Sequence, residues 1–369
     1  MVSFYNPVRV VSGVGACKSF TEIGKFGRKA IIVCGKNSAR ACGALGDMEA
    51  LLQEAGVEYI IFDKIMQNPV VSVCDEGGKL AYKFGAAFVI GIGGGSPLDA
   101  SKAVAVFAAN PQISGNALYD YPLEKRNRAL PIVAVGTTAG TGSEVTQYAV
   151  LTVPEIENKR TYRDTDTFPN LALMDPAYTY SLPRRFTIST AVDALAHAIE
   201  GSLLKSSSPY TDGAALEACR LISNALRQIK EGKLDEQVRV DLLTGSTLAG
   251  QVIAQTGTSF VHAAGYMLTY FRNLPHGEAN AVFLADFIEF SRKAAPERVA
   301  ALLAACGVKN ARELEELYAP MMELDFELGG DEVKKWAAIA FENKNNGNGL
   351  RVATVEELEA MIGESKFRK

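Results

Sequence analysis

The chain has 369 residues, of which 48% are hydrophobic and 22% charged, with a formal net charge of −4; this size and balance fit two globular domains and exclude a disordered or low-complexity protein. Both charge signs are interspersed, so there is no basic stripe for phosphates or lipid headgroups, which argues against nucleic-acid and membrane partners. Six scattered cysteines without a C-x-x-C pair, no signal-like N-terminus and no run of about 18 apolar residues predict reduced thiols in a cytoplasmic protein.

The first half alternates short β-branched apolar runs, at 29–34, 58–62, 87–92 and 131–135, with helical patterns such as 47–55, which closes at Gly56. That rhythm predicts a parallel sheet with crossover helices. After the first run comes Cys34-Gly35-Lys36-Asn37-Ser38, with no carboxylate before Asp47. NAD-binding folds commonly place an acid there for the ribose hydroxyls, so its lack leaves room for a 2'-phosphate and favours NADP. Lys36 and Ser38 can supply a charge and a hydrogen bond to it, although a lysine there is equally read as a solvated loop residue.

The run Gly91-Ile92-Gly93-Gly94-Gly95-Ser96-Pro97-Leu98-Asp99 follows a strand and is expected to open a helix at Asp99. Backbone amides at such a start seat a pyrophosphate; taken alone, the run is also read as a tight turn. A second polar loop, Gly136-Thr137-Thr138-Ala139-Gly140-Thr141-Gly142-Ser143-Glu144, follows the next strand, where open α/β sheets hold their ligands. Any one of its threonines is equally a satisfied turn hydroxyl.

Two prolines in the stretch 175–183 mark a boundary, and from about 185 the texture becomes helical, as over 189–204, 212–229 and 238–255. The expectation is therefore an α/β dinucleotide-binding domain over 1–180 and an all-α metal-binding domain over 181–369. The chain has only three histidines, His197, His262 and His276, all in that second part. Asp193 and His197 are four residues apart, so on a helix they share a face with Cβ atoms roughly 5–6 Å apart. His262 and His276 are each also readable as satisfied core histidines. Taken jointly, three imidazoles and a carboxylate suit a borderline divalent metal, Fe(II) or Zn(II), better than magnesium or calcium.

With these motifs in order, the chain resembles the iron-containing (type III) alcohol dehydrogenases over essentially its full length. The resemblance is carried by Gly93 to Asp99, Thr137 to Thr146, Asp193-Ala194-Leu195-Ala196-His197-Ala198-Ile199-Glu200 and His276-Gly277-Glu278-Ala279-Asn280-Ala281. It implies a dehydroquinate-synthase-like fold, with metal held by Asp193, His197, His262 and His276. It implies cofactor contacts at Gly94, Gly95, Ser96, Asp99, Thr137, Thr138, Thr141 and Lys159, with Asn68 and Leu182 as further candidates. NADP-preferring members are similar in having a glycine where Gly35 stands. The resemblance also implies at least a homodimer and hydride exchange between a nicotinamide cofactor and a small alcohol or aldehyde.

The chain departs from the family at two points. Many members carry a histidine where this chain has Tyr266, which is assigned either a proton-passing role or a place in the pocket wall. Ala191 replaces a usual glycine. Glycerol dehydrogenases and dehydroquinate synthases are the nearest enzymatic rivals, and they resemble one another in using three protein ligands. A non-catalytic cofactor-binding protein on the same fold is the rival of another class. Tyr148, Phe260 and Tyr266 point to a narrow apolar pocket for short-chain alcohols, diols or aldehydes.

Overall fold

A computed structural model describes residues 2–324 and 327–364. Among these, the strands are β1 (Arg9–Ser12), β2 (Lys29–Cys34), β3 (Glu58–Phe62), β4 (Phe88–Gly93), β5 (Ile132–Gly136), β6 (Tyr148–Val153), β7 (Asn158–Arg163) and β8 (Leu171–Met174). Six of them form one sheet in the order β1-β8-β5-β4-β2-β3, every pairing parallel, while β6 and β7 make a separate antiparallel pair. The uninterrupted apolar runs have a direct cause: successive side chains of a strand point to opposite faces, and both faces are covered. Ile31 and Val33 enter one core with Phe62, Val89, Val104 and Phe107. Their neighbours Ile32 and Cys34 enter the other with Ile90, Leu45, Met48 and Leu52.

The helices of this half are α1 (Ser38–Ala41), α2 (Ala44–Glu54), α3 (Val71–Phe84) and α4 (Gly95–Ala109). Helix α3 lies close on α4 because Gly78 has no side chain; a Cβ there would stand 2.3 Å from Cβ of Phe107. Three features differ from the expectation. Helix α4 begins at Gly95, four residues before Asp99, with Gly94 as its N-cap. Strands β1 and β8 are four residues each, too short to register as apolar runs. Strand β7, Asn-Lys-Arg-Thr-Tyr-Arg, is mostly exposed and polar, so it carries no hydrophobic period at all.

Contacts divide the chain into two units. One comprises Asn6–Thr138 and Ser143–Ser181; the other takes Leu182 onward, together with Ala139–Gly142 and the residues up to Tyr5. The second unit is helical: α5 (Arg184–Ser202), α6 (Pro209–Lys230), α7 (Glu236–Thr256), α8 (Phe260–Arg272), α9 (His276–Arg292), α10 (Pro296–Ala305), α11 (Ala311–Tyr318), α12 (Gly330–Glu342) and α13 (Val355–Glu364). Helix α5 is buried without a break from Ala191 to Ser202, as a central helix must be. The short piece Ala139–Gly142 sits against it through glycines. A Cβ on Gly140 would meet Cβ of Thr190 at 2.6 Å, and one on Gly142, whose φ is +63°, would meet Cα of Gly250 at 2.3 Å. No helix among the described residues is long and apolar enough to cross a membrane.

One buried charge ties the α/β unit together. Lys102 of α4 is fully enclosed, and its Nζ donates to Ser143 Oγ at 2.7 Å, the Tyr148 carbonyl at 2.7 Å and Thr146 Oγ1 at 3.3 Å, with Asp99 Oδ1 3.6 Å away. Burial lowers its pKa to about 8, and the Asp99 carboxylate opposes that fall. Lys102→Met removes the cation and leaves these acceptors without it, so we expect a loss of about 3–5 kcal/mol. A lower urea midpoint in circular dichroism checks this; an unchanged midpoint would mean that water replaces the ammonium.

Candidate metal centre and nucleotide loops

Helix α5 presents Asp193, His197 and Glu200 at steps of four and three residues, the spacing of one helical face. Helix α8 supplies His262 and Tyr266, and α9 begins at His276. Ligand atoms of Asp193, His262 and His276 all lie within 4.8 Å of one another. The Asp193 Oδ1 atom is 3.6 Å from His262 Nε2 and 3.8 Å from His276 Nε2. His197 stands outside that trio but against it, its ring stacked on His262 with centroids 4.4 Å apart.

The donor set fits a borderline divalent cation. Two imidazole nitrogens there, His197 Nδ1 and His262 Nε2, are buried without a hydrogen-bond partner, an arrangement a metal–nitrogen bond would satisfy. The electrostatics of Asp193 and His197 agree. Burial works against ionised Asp193, yet the imidazoles of His197 and His276 hold its carboxyl well below the usual range. Burial drops His197 to about 4, with Asp193 only partly opposing it, which keeps that ring a neutral ligand. Burial also disfavours the His262 cation, but the Glu200 and Asp193 carboxylates outweigh it and raise that ring to about 9.

Several supporting residues have no assigned role in the sequence reading. Asn280, one helical turn after His276, donates from Nδ2 to Asp193 Oδ1 at 2.8 Å. It is accommodated because Gly265 has no side chain: a Cβ there would lie 2.0 Å from Asn280 Oδ1. Glu278 is fully buried and accepts two bonds from Arg185, from Nε at 2.8 Å and Nη2 at 3.0 Å, fastening the start of α9 to the start of α5. Glu200 is also fully buried and meets His262 Nδ1. The signal for Asn280 and Glu200 was helical spacing from a candidate ligand, at i+4 and i+3; Glu278, two residues after His276, carried no such signal. Tyr266 stacks on His276, with centroids 5.3 Å apart and planes 13° off parallel. Phe260 is buried edge-on to Phe283, a packing position within the helical unit.

In the α/β unit the strand order reverses between β2 and β4, and open sheets bind ligands at the carboxyl ends of the strands beside such a reversal. Gly35 follows β2 there, and the exposed Ser38 starts α1. Gly94, Gly95 and Ser96 follow β4 and form the N-terminus of α4, where free amides and the helix dipole favour an anion. Gly94 packs against Thr138, whose Oγ1 would lie 2.9 Å from a Cβ at that position. Thr137 is buried and its N–H donates to the Gly93 carbonyl at 3.0 Å.

Three candidates far apart in sequence converge here. Asn68, in the left-handed region at φ +57°, donates its N–H to Ser96 Oγ at 3.3 Å and accepts from Lys159 Nζ at 2.8 Å. Burial lowers the Lys159 pKa, with Asp99 opposing. Asp99 itself is engaged on both oxygens, by the Ser143 hydroxyl and the Val150 N–H, so its carboxylate holds the loop to β6. Thr141 and Leu182 fall in the helical unit, where the Leu182 carbonyl accepts from Thr187 Oγ1 at 3.4 Å.

Residues 7–176 match the family model described as iron-containing alcohol dehydrogenase, and residues 187–365 match that described as Fe-containing alcohol dehydrogenase family, C-terminal. The lactaldehyde reductase of Escherichia coli strain K12 is 30% identical over 364 residues, 94% of each chain. The 1,3-propanediol dehydrogenase of Citrobacter freundii is 34% identical, covering 81% of this chain and 76% of its own. Among solved structures, an iron-containing alcohol dehydrogenase from Thermotoga maritima superposes with a TM-score of 0.90 at 37% identity, over 98% of both chains.

Proposed function

Because the chain belongs to the iron-containing alcohol dehydrogenase family, we propose that it exchanges hydride between NADP(H) and a short-chain alcohol, diol or aldehyde. Asp193, His197, His262 and His276 would hold Fe(II), with Zn(II) able to replace it. The observation that carries this reading is the convergence of Asp193, His262 and His276 ligand atoms within 4.8 Å, beside buried ring nitrogens that bond to nothing else. When bound, the metal supplies Lewis acidity to the alcohol or carbonyl oxygen, and the dinucleotide gives or takes the hydride.

The residues of the chain bind and orient. Gly94, Gly95 and Ser96 offer backbone amides to the pyrophosphate, with Thr137, Thr138 and Thr141 as further polar contacts. Asn68, Asp99, Lys159 and Leu182 are assigned further cofactor contacts, Asn68 and Lys159 also bracing that loop. Tyr266, lying flat on His276, is assigned to the substrate wall or to passing a proton. Action in the cytoplasm as a homodimer or larger assembly is part of the same proposal, resting on the family and on unpaired thiols.

The test is anaerobic purification, metal analysis, and oxidation of NADPH and NADH with a panel of short aldehydes. About one iron or zinc per chain and aldehyde-dependent turnover are expected; metal-free protein with no turnover would sink the proposal. The cofactor preference has its own test. A Cβ on Gly35 would lie 3.2 Å from the Ile65 carbonyl and 3.6 Å from Ser38 Oγ, so a side chain is admitted with a small shift. Gly35→Asp sets a carboxylate where the 2'-phosphate is proposed, and kcat/KM with NADPH should fall about tenfold or more while NADH is spared. Equal loss with both would remove the NADP assignment.

A second reading, a three-ligand centre of Asp193, His262 and His276, is favoured by the position of His197 outside the trio. Metal affinity of a His197→Ala variant separates the two.

A further inference from the structure

Glu200 is a fully enclosed carboxylate whose side-chain hydrogen bonds lie at one helix start, that of α8. Its Oε1 accepts the N–H of Ser259 at 3.1 Å and of Val261 at 2.9 Å, two of the amides that α8 leaves without an intrahelical partner. Its Oε2 meets Nδ1 of His262. A carboxylate acting only as a cap would leave that second oxygen to any neighbour; here it is spent on the ring whose other nitrogen, Nε2, is unbonded and 3.6 Å from Asp193 Oδ1. An imidazole that donates from Nδ1 presents a lone pair at Nε2, and a fixed carboxylate both sets that tautomer and locks the ring plane.

Resting on the metal reading above, we propose that Glu200 is a positioning residue for the centre: it holds His262 as the Nδ1–H tautomer, so that Nε2 is the ligating atom. Glu200→Gln separates this role from capping. The Gln amide oxygen still accepts from Ser259 and Val261, but its NH₂ donates to His262 Nδ1 and so demands a proton on Nε2. Affinity for Zn(II), read by chelator competition, should fall about 10- to 100-fold, while the metal-free variant melts within a few degrees of wild type. In a His262→Ala background the same change should cost no further affinity.

An affinity within about twofold of wild type, or an equal loss in the His262→Ala background, overturns the inference and leaves Glu200 as a cap. A measurement on unsubstituted protein keeps it testable if the variant does not fold: histidine ¹⁵N spectra of the zinc-loaded enzyme should show His262 protonated at Nδ1 and ligating through Nε2. Ligation through Nδ1 overturns it. Wild-type protein that takes up no zinc overturns the metal reading as well, whereas loaded wild type with an indifferent Glu200→Gln variant overturns this inference alone.

Discussion

His276→Ala is expected to abolish stable metal binding and to lower kcat/KM for aldehyde reduction on the order of 10³-fold or more, since even an indirect metal partner is worth 10–100-fold. The loss should come without unfolding. His276 is the first residue of α9 and its side chain is 31% exposed, so truncation opens no closed cavity, and alanine is a good helix former. What it removes is one of three ligand atoms gathered within 4.8 Å, together with the ring on which Tyr266 lies. Metal content and single-turnover rates on folded protein check it. Full metal occupancy and wild-type turnover in the variant would end the four-ligand mechanism. His197→Ala belongs in the same experiment: comparable loss supports four ligands, and near-normal affinity supports three.

Gly277→Ala should be at least as damaging, by a different route. A Cβ at 277 would sit 1.8 Å from the Ser189 carbonyl oxygen and 2.5 Å from its carbon, both backbone atoms of α5. No rotamer relieves that overlap, so α9 and α5 must part. These two helices carry His276 and the Asp193–His197 pair. Overpacking usually costs about 1–3 kcal/mol, and a backbone clash this close should reach or exceed the upper end. The separation would also move His276 away from Asp193, so metal affinity should fall together with the melting temperature. A variant of wild-type stability with intact metal binding would show that the interface yields at little cost.

Much of the α/β half was readable from the chain because its chemistry is local. Strands covered on both faces are apolar almost throughout, so β2, β4 and β5 announce themselves, as does the edge strand β3 through Ile60, Ile61 and Phe62, and glycines after β4 mark a helix start whatever surrounds them. Strands β1, β7 and β8 left no such mark; two are four residues long, and β7 is mostly polar because it is exposed. The four proposed ligands were likewise visible, three of them as the chain's only histidines.

What the sequence could determine by itself, then, were periodicities and residue types: a parallel sheet, a helical second half, and an N₃O inventory suited to iron or zinc. Contacts between distant segments were a matter for the tertiary structure. It decided that Asn68, Ser96 and Lys159 meet, that Asp99 bonds the Ser143 hydroxyl and the Val150 N–H, and that Glu200 meets His262 and Asn280 meets Asp193 across neighbouring helices. The physical reason is that periodicity reports which face of an element is buried, whereas the partner of a buried polar atom depends on which helix is packed against it. At Gly265 and Gly277 that packing depends on side chains that are absent.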